Sequence, residues 1–169
     1  ETVGIKLVGD FTDVQVNSDH MLVGAAVLDN YLSKFCYQKS ITGYEFLFTI
    51  PGSIGGNIFM NAGCYNQEIK DKLISVIYYD TNQNKIFEKN ISELQFDYRK
   101  GFQKNNTIIL YGKFKITYKD QDYIKNLMKE FDIIRKQSQP QKVNCCGSIF
   151  KNPKNKSAWR LIKSSIDES

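Results

Sequence analysis

Hydrophobic and polar residues alternate, or form short apolar runs, along much of the first 118 positions. This pattern is typical of β-strands with one or both faces buried. Gly9 and Asp10 separate the first two runs, and residues 82–84 separate two later ones, so turns are predicted at both places. The predicted strands are residues 4–8, 13–16, 21–27, 73–79, 86–87 and 107–118.

Two longer segments repeat their apolar residues at the three- and four-residue spacing of an amphipathic helix. The first is stopped by Thr42 and Gly43, and the second ends before Pro140, which cannot continue a helix. A shorter helix is predicted near the end of the sequence. The apolar positions of the three helices are Leu28, Leu32, Phe35 and Cys36; Ile124, Leu127, Met128, Phe131 and Ile134; and Ala158, Leu161 and Ile162.

The order of these elements predicts an α+β fold. Strands and helices are interspersed, but they do not follow the strict alternation of a doubly wound parallel sheet. A chain of 169 residues has room for one domain and part of a second. We place the change of unit after the last strand. This gives a first domain of residues 1–118 and a second unit, residues 119–169, that begins with a connecting helix.

Composition and charge narrow the class of protein. Hydrophobic residues make up 41% and charged residues 24%, as in soluble globular proteins. The sequence has no apolar run of about 18 residues and no signal-peptide pattern at its start, so we expect no membrane association. The net charge of +5 comes from scattered lysines. We therefore expect no nucleic-acid surface, although a basic balance favours a phosphorylated substrate.

The cysteines at positions 36, 64, 145 and 146 have neither the spacing of a zinc site nor that of a CxxC pair. Their number and spacing fit reduced thiols, so we expect a cytoplasmic protein without a metal site. His20 is the single histidine of the sequence. Because it has no evident partner, we expect it on the surface and not in catalysis.

The segment of residues 50–63, IPGSIGGNIFMNAG, is the first candidate for chemistry. Glycine lets a backbone approach a ligand closely, and N–H groups of such a loop can converge on a phosphate or on a flavin edge. The segment has neither the GxGxxG of a Rossmann fold nor the Gly-Lys-Ser/Thr of a P-loop. By glycine content alone, a surface loop with several turns is the plainer interpretation.

Two further segments carry polar side chains of interest. Arg99, within FDYRKG (residues 96–101), has a permanent charge and a fixed fork of donors suited to a carboxylate, but it also reads as a surface pair with Tyr98. Ser148, within CGSIFKNP (residues 146–153), follows a glycine, where serine commonly belongs to a turn. A hydrolase nucleophile is not indicated, since the sequence has no Gly-x-Ser-x-Gly elbow.

Taken together and in this order, the three segments resemble the MurB family of UDP-N-acetylenolpyruvoylglucosamine reductases. PGSIGG (residues 51–56) with MNAG (residues 60–63) is similar to the family's flavin-binding segment, and GYEFL and EIKD on either side extend the match. Tyr98 and Arg99 match the family's Tyr-Arg-x-Ser, whose final Ser is replaced here by Gly101. GSIFKNP matches the family's Gly-Ser-x-Phe-Lys-Asn-Pro.

The resemblance covers nearly the whole chain and implies both a fold and an activity. The implied fold is the FAD-binding domain of the MurB and vanillyl-alcohol-oxidase (PCMH) type, followed by the start of the MurB C-terminal substrate domain. The implied enzyme is a flavin-dependent oxidoreductase of peptidoglycan synthesis. It would use FAD and NADPH to reduce UDP-N-acetylglucosamine enolpyruvate to UDP-N-acetylmuramate, and we expect it to be a monomer.

The resemblance also assigns roles to residues. Arg99 would stabilise negative charge on the substrate carboxylate, and Ser148 would donate the proton. The residues implied to contact substrate are Tyr98, Gly147, Lys151 and Asn152. The residues implied to contact the cofactor are Ile50, Pro51, Gly52, Ser53, Gly55, Gly56, Asn61, Ala62 and Gly63. Simple packing of the tyrosine and loop capping by Lys151 and Asn152 stay open as alternatives.

The sequence departs from the family pattern at both ends. Family members carry an N-terminal Gly-Ser-Asn element for the FAD diphosphate and a C-terminal catalytic glutamate, and this chain matches neither. We therefore expect a central piece of the enzyme that is inactive, or nearly so, by itself. An FAD-linked oxidase of the same fold and a non-catalytic flavin-binding module are the alternatives. The GSIFKNP segment disfavours the oxidase, and Arg99 with Ser148 disfavours the module.

Overall fold

The computed structural model describes residues 3–139 and 149–167. The chain divides into two compact units, Glu1–Ser138 and Gln139–Ser169. The first unit combines an antiparallel sheet with three helices, and one helix is described in the second unit. This mixture confirms the predicted α+β fold class.

A five-stranded antiparallel sheet is the framework of the first unit. The strands within the described residues are β1 (Val14–Val16), β2 (His20–Gly24), β3 (Gly63–Cys64), β4 (Gln67–Glu68), β5 (Leu73–Asp80), β6 (Lys85–Asn90) and β7 (Thr107–Lys115). The large sheet has the order β1-β2-β7-β5-β6, and β3 and β4 form a separate hairpin. The chain therefore returns to the middle of the sheet with its last strand.

The central strands bury one face of the sheet more deeply than the other, because successive side chains point to opposite faces. In β5, Leu73, Val76 and Tyr78 are buried, and an irregularity in pairing after Leu73 shifts the alternation by one residue. Phe114 of β7 is also fully buried and meets the ring of Tyr44 edge-on at 6.2 Å. The strands predicted at residues 73–79, 86–87 and 107–118 are confirmed, the last with an earlier end at Lys115.

The helices within the described residues are α1 (Asp29–Gln38), α2 (Ile54–Met60), α3 (Gln121–Ser138) and α4 (Ala158–Asp167). Helices α1 and α3 both contact the short 3-10 turn Glu45–Thr49. Their buried residues, such as Leu32 in α1 and Ile124 in α3, fall on the apolar face that the sequence indicated. Both predicted helices are confirmed.

Helix α3 packs into the first unit. Its residues Ile124, Met128 and Phe131 are buried, and the Phe131 ring stacks on Tyr65 of the β3–β4 hairpin with centroids 4.1 Å apart. The first compact unit therefore runs to Ser138, whereas the sequence predicted a boundary between residues 118 and 119. The role of residues 119–169 as the start of a substrate domain stays a prediction.

The strand predicted at residues 4–8 does not form. Val3, Ile5 and Val8 are exposed, and residues 9–12 form a 3-10 turn that leads directly into β1. An alternating pattern produces a strand only where a neighbouring strand accepts its hydrogen bonds, and β1 pairs with β2 alone in the part of the chain that the structure describes. The third predicted strand is confirmed but ends at Gly24, because residues 25–29 leave the sheet to pair with the glycine-rich segment.

The second unit is described at residues 149–167 and contains α4. The predicted helix with Ala158, Leu161 and Ile162 is confirmed there. Asn152 Oδ1 accepts a 3.0 Å hydrogen bond from the Ala158 N–H at the start of α4. Among the helices described, none combines the length and apolar character that crossing a bilayer requires.

Candidate functional site

The glycine-rich segment runs antiparallel to residues 25–29. The N–H of Ile54 donates to the Val27 carbonyl at 2.9 Å, and the N–H of Gly55 donates to the Ala25 carbonyl at 2.8 Å. The sequence suggested that N–H groups of this segment converge on a ligand. These two instead hold the segment to its neighbour, so any ligand contact falls to other groups of the segment.

Gly55 and Gly56 have different surroundings. A Cβ added at Gly55 would lie 2.9 Å from Ala25 Cβ and 3.0 Å from the Ala25 carbonyl oxygen, which is closer than side chains pack. A Cβ added at Gly56 would meet only Ser53 Oγ, at 3.7 Å. Gly55 is therefore required for the packing of α2, while Gly56 leaves open space beside the backbone.

An open cleft of about 750 Å³ lies beside the start of the segment. Its walls are formed by Ile5, Lys6, Leu7, Val8, Thr12, Ala25, Ala26, Val27, Leu28, Tyr31 and Ser53. The lining is mainly apolar, with hydroxyl groups from Thr12, Tyr31 and Ser53 and one positive charge from Lys6. Ligand sites are commonly apolar clefts of roughly 300–1,000 Å³ with a few polar groups, so this cleft suits an organic cofactor.

A buried carboxyl group lies behind the segment. Asp29 at the start of α1 is fully buried, and its Oδ1 accepts a 2.6 Å hydrogen bond from Asn57 Nδ2. Its Oδ2 has no hydrogen-bond partner within the described residues and lies 2.9 Å from where a Cβ at Gly52 would be. Burial raises the pKa of Asp29 from 3.8 to about 7, and the Asn57 hydrogen bond opposes this only in part.

Arg99 lies at the tip of a tight turn. Asp97 and Lys100 exchange two backbone hydrogen bonds of 2.8 and 2.9 Å, with Tyr98 and Arg99 between them. The φ angle of Arg99 is 55°, in the left-handed region that costs a side-chain-bearing residue about 1–2 kcal/mol. Its half-buried guanidinium donates from Nη2 to the Gly63 carbonyl at 2.7 Å. The structure thus brings Arg99 to the end of the glycine-rich segment.

Asn61 ends α2 in the left-handed conformation, with φ of 46°, and is fully buried. Its Nδ2 donates to Glu68 Oε2 at 3.0 Å and to the Asp97 carbonyl at 2.9 Å, and its Oδ1 accepts from the Lys70 N–H at 3.3 Å. Both ends of the side-chain amide are therefore engaged inside the protein. This geometry does not support the predicted contact of Asn61 with a cofactor.

Gly101 sits against the C-terminal end of α2. The N–H groups of Gly101 and Phe102 donate to the carbonyls of Phe59 and Ile58, at 3.1 and 3.0 Å. A Cβ at Gly101 would lie 1.9 Å from the Ile58 carbonyl oxygen, so a serine there would force the backbone apart. The departure from the Tyr-Arg-x-Ser pattern therefore matches a close approach of two backbones.

The other predicted cofactor residues differ in exposure. Pro51, Gly52 and Gly56 are exposed, whereas Ile50, Ser53, Gly55, Ala62 and Gly63 are half-buried. Ser53 alone among them lines the cleft of about 750 Å³. The assignment of these residues to a cofactor stays a prediction.

The predicted substrate residues fall in two parts of the chain. Tyr98 is exposed, and its ring centroid lies 4.8 Å from Arg99 Cζ. Gly147 and Ser148 lie outside the described residues. Lys151 and Asn152 are exposed, and the contact of Asn152 with the Ala158 N–H is the loop-capping role that the sequence left open.

Several residues that shape the site were not singled out from the sequence. Asp29 was an unremarked acidic residue after an apolar run, and nothing in the letters shows that Asn57 of α2 would reach it across the fold. Glu68 and Asp97 are the hydrogen-bond partners of Asn61, and tertiary contacts likewise bring them to it.

Burial raises the pKa of the Cys64 thiol to about 11, so this cysteine is not an activated nucleophile. No cluster of metal-ligating side chains occurs among the described residues.

Two curated relatives of the chain carry the same name. The protein from Pelagibacter ubique named UDP-N-acetylenolpyruvoylglucosamine reductase is 40% identical over 168 residues, which is 97% of this chain and 55% of that protein. The protein of the same name from Rickettsia massiliae is 39% identical over 162 residues, covering 96% of this chain and 55% of that protein. The chain therefore spans about half the length of these relatives. No family model matches the sequence.

A solved structure shows the same architecture. The crystal structure of UDP-N-acetylenolpyruvylglucosamine reductase (MurB) from Thermus caldophilus superposes with a TM-score of 0.85 and 31% sequence identity, covering 95% of this chain and 57% of that one. Fold and sequence agree on one family along almost the whole chain. The predicted resemblance is confirmed: almost the whole chain is similar to UDP-N-acetylenolpyruvoylglucosamine reductases of the MurB type.

Proposed function

We propose that the protein containing this chain is an FAD-dependent oxidoreductase of peptidoglycan synthesis. It would use NADPH to reduce UDP-N-acetylglucosamine enolpyruvate to UDP-N-acetylmuramate. The observation that carries the proposal is the hydrogen bond from Arg99 to the Gly63 carbonyl, which sets the predicted catalytic cation against the predicted flavin segment. The names of the matched relatives support the same activity.

The residues beside the glycine-rich segment fit FAD. The cleft of about 750 Å³ offers a mainly apolar wall, as a flavin dinucleotide requires, and the open space beside Gly56 allows the backbone to approach a polar group. We assign Ser53, Thr12 and Lys6 to the anionic and polar parts of the cofactor, since they bring hydroxyl groups and a positive charge to the cleft. Leu28 and Tyr31 would cover its apolar parts.

Bound FAD would supply the two-electron chemistry, with NADPH as the source of electrons. Arg99 contributes a permanent positive charge, and its bond to Gly63 orients the guanidinium before a substrate arrives. A cation fixed in this way stabilises negative charge that develops on a substrate carboxylate without first having to reorient. Ser148 would donate the proton, and Tyr98, Gly147, Lys151 and Asn152 would contact the substrate.

The proposal is tested on the intact protein that contains this chain. The purified protein should be yellow, its flavin absorbance should bleach with NADPH in the absence of air, and the enolpyruvyl sugar nucleotide should then restore the colour. An oxidase would instead be bleached by its own substrate and rapidly recoloured by oxygen. A non-catalytic module would be colourless or, with flavin bound, would not bleach with NADPH. Either result would overturn the proposal, and so would a protein that stays colourless after reconstitution with FAD.

The contribution of this chain by itself is a separate part of the proposal. Because the chain spans about half of its curated relatives, we propose that it turns over little or not at all when expressed alone. Robust reduction of the sugar nucleotide by residues 1–169 would overturn this part. We further propose that the intact protein acts as a monomer, which sedimentation of the purified protein would measure. We also propose that it acts in the cytoplasm, which cell fractionation would test.

A further inference from the structure

We propose that Asn61 is a positioning residue for Arg99, and not a residue that contacts the cofactor. The inference rests on the proposed function, in which the Arg99 guanidinium must point at the substrate carboxylate. Two contacts carry it, one from Asn61 to Asp97 and one from Arg99 to Gly63. Its test reads the position of the guanidinium directly as well as turnover.

The first contact joins Asn61 to the base of the Arg99 turn. Asn61 Nδ2 donates to the Asp97 carbonyl at 2.9 Å, and Asp97 is the residue whose backbone closes the turn with Lys100. Asn61 has no exposed surface, so water does not compete for this amide. The turn is therefore fixed to the end of α2 by a buried side-chain hydrogen bond.

The second contact joins Arg99 to the glycine-rich segment. Arg99 Nη2 donates to the Gly63 carbonyl at 2.7 Å, and Gly63 follows Asn61 by two residues along the backbone. Asn61 therefore holds both the turn and the segment that carries the acceptor of Arg99. Removing its amide takes away the side-chain hydrogen bond between the Arg99 turn and the end of α2, so the direction from which the guanidinium reaches Gly63 is less fixed.

The third set of contacts fixes the orientation of the Asn61 side chain. Glu68 Oε2 accepts from Nδ2 at 3.0 Å, the Lys70 N–H donates to Oδ1 at 3.3 Å, and Lys70 Nζ forms an ion pair with the same Glu68 oxygen at 2.8 Å. The amide cannot rotate without breaking these bonds. Its hydrogen-bond donor therefore stays directed at Asp97.

The experiment compares Asn61→Gly with the matched control Asn66→Gly in the intact protein. Both residues have left-handed backbones, with φ of 46° and 58°, so glycine keeps the backbone at both places. Only Asn61 is buried, since Asn66 lies exposed in the β3–β4 turn. The variants therefore differ in the loss of the buried amide.

The direct measurement is the NMR resonance of the Arg99 Nε–Hε group, which is assigned by its loss in Arg99→Lys. We expect Asn61→Gly to shift and broaden it, and Asn66→Gly to leave it unchanged. We also expect kcat to fall by about tenfold to a hundredfold with little change in KM for NADPH, as for a catalytic group that is misplaced by about 1 Å. An Asn61→Gly protein with the wild-type Arg99 resonance would overturn the proposal.

A measurement on the wild-type protein covers the case in which Asn61→Gly does not fold. The two side-chain N–H protons of Asn61 should be protected from exchange with solvent, because both are donated inside the protein. Rapid exchange of both protons would overturn the proposal. Failure of the proposed function is distinguishable, since the Arg99 resonance would then still respond to Asn61→Gly while Arg99→Lys left turnover unchanged.

Discussion

The guanidinium of Arg99 donates a 2.7 Å hydrogen bond to the carbonyl of Gly63, and so joins two sequence segments that lie 36 residues apart. One segment carries the glycine pattern of the MurB family and the other carries its Tyr-Arg pair. Their contact means that the two motifs form one surface, and that a change in one should alter the other.

The first prediction concerns the fork of hydrogen-bond donors on Arg99. In the intact protein, Arg99→Lys keeps the positive charge but loses the fork of donors that binds Gly63 and that we propose also binds the substrate carboxylate. We expect kcat to fall by roughly a hundredfold to a thousandfold, the usual effect of removing one donor aimed at developing charge. Steady-state kinetics with the enolpyruvyl sugar nucleotide measure it. Lys100→Met, at the exposed neighbouring position, is the control and should change kcat far less.

The sequence predicted those parts of the fold whose residues pack in a regular repeat. The apolar run of residues 73–79 and the helical spacing from Ile124 to Phe131 survive in the structure, because burial produced both patterns. Residues 4–8 alternate as a strand does but have no partner strand among the described residues, so their pattern wrongly predicted a strand. Period alone does not show where the next strand lies.

Within the candidate site, the letters identified Arg99 and the glycine-rich segment but not what holds them. Helix α2 was hidden because glycines occupy two of its positions, and its packing depends on Ala25, which is distant in sequence. The burial of Asp29 and the multiple contacts of Asn61 also depend on tertiary neighbours. Such roles follow from distances across the fold, which no local pattern encodes.

The second prediction separates packing from ligand contact at adjacent glycines. Gly55→Ala places a methyl group 2.9 Å from Ala25 Cβ, so we expect a loss of about 1–3 kcal/mol in the free energy of unfolding. Gly56→Ala meets only Ser53 Oγ at 3.7 Å, so stability should hold within about 0.5 kcal/mol. Urea unfolding measures both variants.

Flavin titration of the same pair completes this test. If Gly56 faces the cofactor, Gly56→Ala should weaken FAD binding while the protein stays folded, as followed by quenching of flavin fluorescence. Equal stability losses in the two variants would contradict the packing argument. Unchanged FAD affinity in Gly56→Ala would remove this glycine from the cofactor site.

The third prediction concerns the position where the family pattern has a serine. Gly101→Ser places Cβ 1.9 Å from the Ile58 carbonyl oxygen, at the point where α2 and the Arg99 turn meet. We expect at least about 1–3 kcal/mol of destabilisation, because backbone atoms must move to relieve the overlap. Chemical denaturation checks it, with Lys100→Ser at the exposed neighbour as the control. A Gly101→Ser protein as stable as the wild type would show that the two backbones lie further apart.

The fourth prediction follows from the buried carboxyl of Asp29, whose pKa is raised from 3.8 to about 7 by burial. Between these two values the folded protein holds a proton that the unfolded chain releases, so stability falls as pH rises from about 4 to about 7. Asp29→Asn cannot ionise and keeps the Oδ1 acceptor for Asn57. As pH rises through this window, the variant should therefore become more stable relative to the wild type, by an amount on the order of a few kcal/mol in the free energy of unfolding.

Thermal unfolding of the wild type and Asp29→Asn at several pH values measures this gain. Asp19→Asn is the contrasting variant, because a hydrogen bond to His20 lowers the pKa of the Asp19 carboxyl. A lowered native pKa gives stability that is present at neutral pH and lost in acid. As pH rises from acid, Asp19→Asn should therefore become less stable relative to the wild type. Parallel curves for the wild type and Asp29→Asn would mean that Asp29 ionises as easily in the folded protein as in the unfolded chain, and that water reaches the carboxyl behind Gly52.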